Sequence, residues 1–138
     1  MARFDPVTLL ALIAITSGVL LVPCHGQDIL GSLFRCRNEF EIDPNVFESL
    51  RTGDFSVRNP TVECFGECFV KRAGFMNDDF TFNRDTIIRY TSRFVSKEAA
   101  AEVYTRCTAN VAPTLCVTAF EVYRCIYEHI NQKWNTTK

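Results

Sequence analysis

From Ile29 onward the apolar side chains recur at helical rather than strand spacing. Ile29, Leu30, Leu33, Phe34 and Phe40 form one stripe, with Arg37 at its polar edge, so a first helix is predicted there. Asp43-Pro44 supplies a cap and a first-turn proline for a short second helix ending near Arg51, and Thr52-Gly53-Asp54 stops it. Asn59-Pro60 repeats the signal. Val62, Phe65 and Phe69, with Cys64 and Cys68, make the buried stripe of a third helix that Gly74 closes. Between Met76 and Phe82, Asn77-Asp78-Asp79 punctuates two phenylalanines in the manner of a loop. Thr86 to Val95 is rich in β-branched residues and would suit a strand. No second strand signal exists for it to pair with, whereas Asn83 can cap it and Ile87, Tyr90, Thr91 and Phe94 share a helical face. A fourth helix is therefore predicted. Ser96 caps a fifth over Lys97 to Ala109, and Pro113 opens a sixth through Leu115, Ala119, Phe120, Tyr123, Ile126 and Ile130. The tail from His129 to Lys138 fades into polar residues around Trp134, beyond the expected end of that helix. The fold class predicted is all-α, with about six helices and no sheet.

The residues before this pattern read differently. Arg3 precedes an uncharged run from Val7 to Val22, and Pro23-Cys24-His25-Gly26 follows it. A basic start, an apolar core and a small residue at Gly26 make a signal peptide over residues 1–26. The run is short for a spanning helix and no basic cluster follows, which argues against a membrane anchor. Pro23 stands where a lipobox would need a small residue. The expected organisation is a leader over 1–26 and one helical domain over 27–138, secreted and extracellular. Cleavage would remove Cys24 and turn seven cysteines into six, an even number suited to an oxidising compartment.

Charge adds an exclusion. The chain carries 15 Lys+Arg against 16 Asp+Glu, a net charge of -1, and so has no strong field for nucleic acid or an anionic membrane. Neither nucleic acid nor stable membrane insertion is expected. Catalysis has little to stand on: His129 is the one histidine after the leader, and no nucleophile elbow or phosphate loop is present. Asp78-Asp79 fits a solvated loop better than an acid pair. A zinc site at Cys64 and Cys68 would need reducing conditions, against the leader. No enzyme activity, cofactor or metal is expected.

Helix geometry constrains the six cysteines without fixing their pairing. Cys64 and Cys68 are one turn apart on one face, and a bond between them would distort the helix. Cys116 and Cys125, nine positions apart on the predicted sixth helix, point to opposite sides. Excluding both contacts leaves most pairings of six cysteines open.

The spacing Cys36-x27-Cys64-x3-Cys68-x38-Cys107-x8-Cys116-x8-Cys125 resembles the insect odorant-binding proteins of the six-cysteine type, over essentially the whole chain after the leader. The resemblance implies bridges Cys36–Cys68, Cys64–Cys116 and Cys107–Cys125. It also implies helices stapled around an apolar cavity that holds an odorant-like or pheromone-like molecule and carries it through aqueous fluid. Positions between the third and sixth helices and the tail would line that cavity. The candidates are Phe80 and Phe82 in the loop, Ile88 and Phe94 on the fourth helix, Phe120 on the inner face of the sixth, and Tyr123, Tyr127 and Trp134. The last three join an apolar body to a polar tip. A membrane receptor or a second copy of the chain would be further partners. The competing expectation is a secreted interaction or structural protein whose bridges serve durability. Asn135-Thr136-Thr137 fits a glycosylation acceptor at Asn135.

Overall fold

A computed structural model of the chain describes residues 28–112 and 114–136. The expected leader, Cys24 and Pro113 lie outside the described residues. Six helices are found among those described: α1 (Ile29–Glu39), α2 (Pro44–Arg51), α3 (Pro60–Arg72), α4 (Arg84–Thr91), α5 (Lys97–Thr108) and α6 (Val117–Thr136). One antiparallel bridge, Met76 to Phe82, pinches the loop between α3 and α4 and is the β pairing present among these residues.

Short polar side chains start the helices where the sequence places them. The Asp43 carboxylate accepts from the Asn45 N–H at 2.8 Å, Asn59 from Val62 at 3.0 Å, Asn83 from Thr86 at 3.1 Å and Ser96 from Ala99 at 3.2 Å. Each bond satisfies a backbone donor that the first turn leaves orphaned. Three ends share a second device. After α3, Gly74 at φ 75° donates to Lys71 O and Phe75 donates to Val70 O, the paired bonds of a Schellman motif. Gly53, at φ 91°, plays the same part after α2. After α1 the left-handed position is held by Glu41 at φ 49°.

Three boundaries depart from the sequence reading. α4 stops at Thr91, so Phe94 lies in the turn that follows and not on the helix. α6 starts at Val117, and Cys116 precedes it in a left-handed conformation, φ 65°. Cys116 therefore never lies on the helix from which it was expected to point. At its far end α6 continues to Thr136, so position 134 is helical where a loose tail was expected. The Trp134 side chain, expected to line the cavity, lies outside the described residues.

α3 is the central element, packing most extensively on α6 and also on α1; α5 joins α4 to α6. Val62, Phe65, Phe69 and Val70 of α3 are buried. At about 1.5–3 kcal/mol for each such side chain, this face contributes on the order of 10 kcal/mol before chain entropy is charged against it. Gly66 sets the α3–α6 approach: a Cβ there would stand 3.0 Å from the Phe120 ring and 3.6 Å from its Cα. Arg58 clamps the same contact from outside. It pairs with Glu63 at 2.7 Å and with Glu121 of α6, while its guanidinium lies over the Phe120 ring, 5.1 Å from the centroid.

All six described cysteines are paired. Cys36–Cys68 joins α1 to α3, Cys64–Cys116 joins α3 to the turn before α6, and Cys107–Cys125 joins α5 to α6. This is the connectivity the family resemblance implies. Cys64 and Cys68, one turn apart, are thus tied to opposite ends of the chain.

Candidate functional site

The side chains between α3, α4 and α6 form an arc of aromatic rings. Phe55, in the loop between α2 and α3, meets Phe120 at 5.9 Å, Tyr123 at 6.1 Å and Tyr127 at 5.5 Å between centroids. The arc continues from Tyr123 to Phe69 (5.2 Å), through Phe75 to Tyr90 (5.2 Å) and on to Phe94 (5.5 Å). Most of these pairs are edge-to-face, which sets the positive rim of one ring against the negative face of the next.

The arc bounds two cavities that meet at Tyr123. The larger, of about 300 Å³, lies between α4 and α6 and is lined by Tyr90, Phe94, Tyr123, Ile126, Tyr127, Ile130 and Asn131. The smaller, of about 70 Å³, lies deeper, against Phe47, Leu50, Phe55, Phe65, Phe69 and Phe120, with Arg51 at its edge. Phe94, Tyr123 and Tyr127 therefore stand around one space, and Phe120 stands one ring further in. Phe80 and Phe82 do not join them. They line a separate cavity of about 200 Å³ on the far side of α3. Ile88 is buried, and its accessible edge belongs to a polar surface groove with Arg84, Asp85 and Arg89.

The polar groups of the larger cavity are few. Burial pushes the Tyr123 phenol well above its ordinary range, reinforced by Tyr90 and Tyr127, and Tyr90 is raised chiefly by burial as well. These groups stay neutral at any physiological pH. None of the three hydroxyls has a hydrogen-bond partner among the described residues. Cations nearby are held elsewhere. Arg51 is committed to Glu48 through bonds of 2.9 and 2.5 Å, and Arg93 lies 5.9 Å from the Tyr90 ring centroid on an exposed residue. Lys133 pairs with Glu102 at 3.8 Å.

His129 faces the other way. Its Nδ1 lies 2.8 Å from the Cys125 carbonyl and 3.7 and 3.9 Å from the sulfurs of Cys125 and Cys107. A carbonyl only accepts, so Nδ1 carries the proton. The three residues have the proximity of a metal cluster, but both sulfurs are spent in the Cys107–Cys125 bridge and offer no thiolate. Asp79 is held below the ordinary carboxylate range by the Thr81 hydroxyl and N–H, bonds that close the loop. Asn135 is exposed on the last turn of α6. Among the described residues no helix is long and apolar enough to cross a membrane.

Phe55, Phe69, Tyr90, Ile126 and Ile130 were not singled out from sequence. Phe55 had a local signal, a lone aromatic between Asp54 and Ser56. The others read as ordinary core stripe.

The family model described as PBP/GOBP family matches residues 25–129. No curated protein matches the chain. A solved structure titled as the fatty acid binding protein OBP56a from the oral disk of the blowfly Phormia regina superposes with a TM-score of 0.62. That match covers 81% of this chain and 96% of the other at 18% identity, a likeness of fold.

Proposed function

Because the chain belongs to the PBP/GOBP family, we propose that it is a secreted carrier, moving a small hydrophobic molecule through aqueous fluid in the cavity between α4 and α6. The observation that carries this reading is that cavity itself: about 300 Å³ walled by four aromatic rings and two isoleucines, with Asn131 at its rim. A cavity of about 150 Å³ accepts benzene, so this one has room for roughly a dozen heavy atoms. A concave, mostly apolar space with a few convergent polar groups is the usual form of a small-molecule site. Three bridges suit an oxidising compartment and stabilise the fold without relying on a filled interior.

The same lining supports a class of ligand. Tyr90, Tyr123 and Tyr127 offer hydroxyls, and each nearby cation already has a partner or lies outside. Burying a carboxylate there would leave its charge uncompensated, which is costly. An alcohol, aldehyde or ester would instead hydrogen-bond to a phenol. The ligand of this reading is a neutral amphiphile of moderate chain length, in contrast to the blowfly fatty acid binding protein.

Displacement of an environment-sensitive apolar dye tests both statements. The dye should enter and be displaced by dodecan-1-ol and by methyl decanoate, with dodecanoic acid at least tenfold weaker at pH 7. Tyr123→Phe should weaken the alcohol by about three- to tenfold, the worth of one neutral hydrogen bond. No dye uptake would favour the durable structural protein. Uptake with acid and alcohol equal, the acid losing affinity in Arg51→Gln, would keep the carrier and discard the neutral class.

A further inference from the structure

The cavity on the far side of α3 shares no lining residue with either cavity at Tyr123. It lies between the loop after α3 and the turn before α6, walled by Met76, Phe80, Phe82, Val111, Leu115 and Ala119. We infer that it is a second ligand site, for a small apolar ring without a polar group to satisfy.

Three observations carry this. First, Glu67 and Thr118 on its wall are already bonded. Glu67 accepts from Lys71 Nζ at 3.0 Å and from the Cys116 N–H at 2.5 Å. The Thr118 hydroxyl accepts from the Thr114 N–H at 2.8 Å and donates to the Ala112 carbonyl at 2.5 Å. The Thr114 hydroxyl, on an exposed residue at the rim, is the polar group left open; the rest of the wall offers hydrocarbon and sulfur.

Second, both lips are apolar and wet. Leu115 is 71% exposed and Phe80 43%, while Met76 on the floor is 4% exposed. A bound ring would cover lip surface that the free protein leaves in water, worth about 25 cal/mol per Å². Third, both lips are held in unfavourable backbone. Phe80 has φ 66° and Cys116, next to Leu115, has φ 65°. Bulky residues enter the left-handed region only where the surroundings impose it, and such strain gathers at ligand clamps. Here the Cys64–Cys116 bridge and the Glu67–Cys116 bond hold Cys116, and Phe80 donates its N–H to Asn77 O at 3.0 Å in a tight turn, with the Lys71 ammonium 4.1 Å from its ring centroid.

Size decides the class. At about 200 Å³ the space exceeds what benzene needs and falls well short of a helix or an extended peptide. Toluene or p-xylene fits; a twelve-carbon chain does not.

Met76 provides the reporter, because Met1 is the other methionine in the chain. In the full chain labelled at the methionine methyls, with the Met76 signal assigned through Met76→Leu, p-xylene should shift that signal saturably. It should do so equally when the Tyr123 cavity is already filled with excess dodecan-1-ol. Leu115→Asp, on an exposed lip where folding is not at stake, should weaken p-xylene at Met76 about tenfold, a hydrophobic side chain's worth of contact. Val111→Phe, which fills the space, should abolish the shift while dye uptake at Tyr123 persists. An unmoved Met76 signal overturns the inference. So does a shift that dodecan-1-ol abolishes, or one that survives Leu115→Asp unchanged.

Discussion

Thr91 is wholly buried, and its hydroxyl has no hydrogen-bond partner among the described residues. An unsatisfied buried hydroxyl costs about 1–3 kcal/mol, whereas a methyl of the same shape costs nothing of the kind. Thr91→Val should therefore raise the stability by about 1 kcal/mol, read as a higher midpoint in thermal unfolding. A lower midpoint would show that the hydroxyl is bonded after all. Gly53 is the opposite case. Its φ of 91° is left-handed, and a Cβ would stand 2.3 Å from Cε1 of Tyr127. Gly53→Ala should cost at least about 1 kcal/mol and disturb the arc through Tyr127. Its glycine identity was visible as a helix stop, but the ring it shelters was not. The same limit applies to Phe55. A lone aromatic in a polar loop is legible, yet the rings it meets lie on α6, and no spacing rule reaches across that distance. Single residues announce that they will be buried. They do not announce by whom.

Elements were more legible, because their signals are local. Asp43, Asn59, Asn83 and Ser96 all cap as read, since a short polar side chain acts within three residues of itself. The start of α6 escaped because Cys116 is held left-handed by groups from α3, about fifty positions upstream. Its end escaped because the polar residues 131–136 include good helix formers and no stop signal. Glu41 is a non-glycine residue in the left-handed slot after α1, at φ 49°. Glu41→Gly should gain up to about 1 kcal/mol, measured by denaturant midpoint, since the Schellman bonds stay and the strain goes. No gain would mean the carboxylate makes up the difference. Glu121 ties α6 to Arg58, before α3. Burial alone would push its carboxyl up, but hydrogen bonds from Arg124 and Arg58 outweigh it and hold it below the ordinary 4.5. A folded-state value below the unfolded one contributes stability above the unfolded value and loses it as pH falls through the folded one. Glu121→Gln should thus be less stable than the parent at pH 7, and the two should converge as the pH falls through the lowered folded-state value. A gap that is constant from pH 7 to 3 would remove the ion pairs from the account.

At the scale of the whole molecule, three bridges hold a fold whose interior is divided between cavities, and they are unequal. Closing the 18-residue interval between Cys107 and Cys125 is worth roughly 3 kcal/mol by chain entropy, and the 52-residue interval between Cys64 and Cys116 roughly 4. Loop length alone is a weak guide, so the native contacts decide. Cys107–Cys125 joins two helices that already pack, α5 and α6, and loosening it frees the His129 ring. Cys64–Cys116 fixes something no helix would adopt unaided: the left-handed turn from which α6 begins, presenting the Cys116 N–H to Glu67. Without that bridge the turn can relax, Glu67 loses a partner beside Lys71, and the Leu115 lip of the far cavity moves. Cys64→Ser with Cys116→Ser should therefore cost more than Cys107→Ser with Cys125→Ser, by at least about 1 kcal/mol in guanidinium denaturation. The first pair should also shift the Met76 methyl signal in the ligand-free protein, and the second should leave it in place. If removing Cys107–Cys125 proves the costlier change, the turn before α6 is held by packing alone, and the strain at Cys116 is not the bridge's doing.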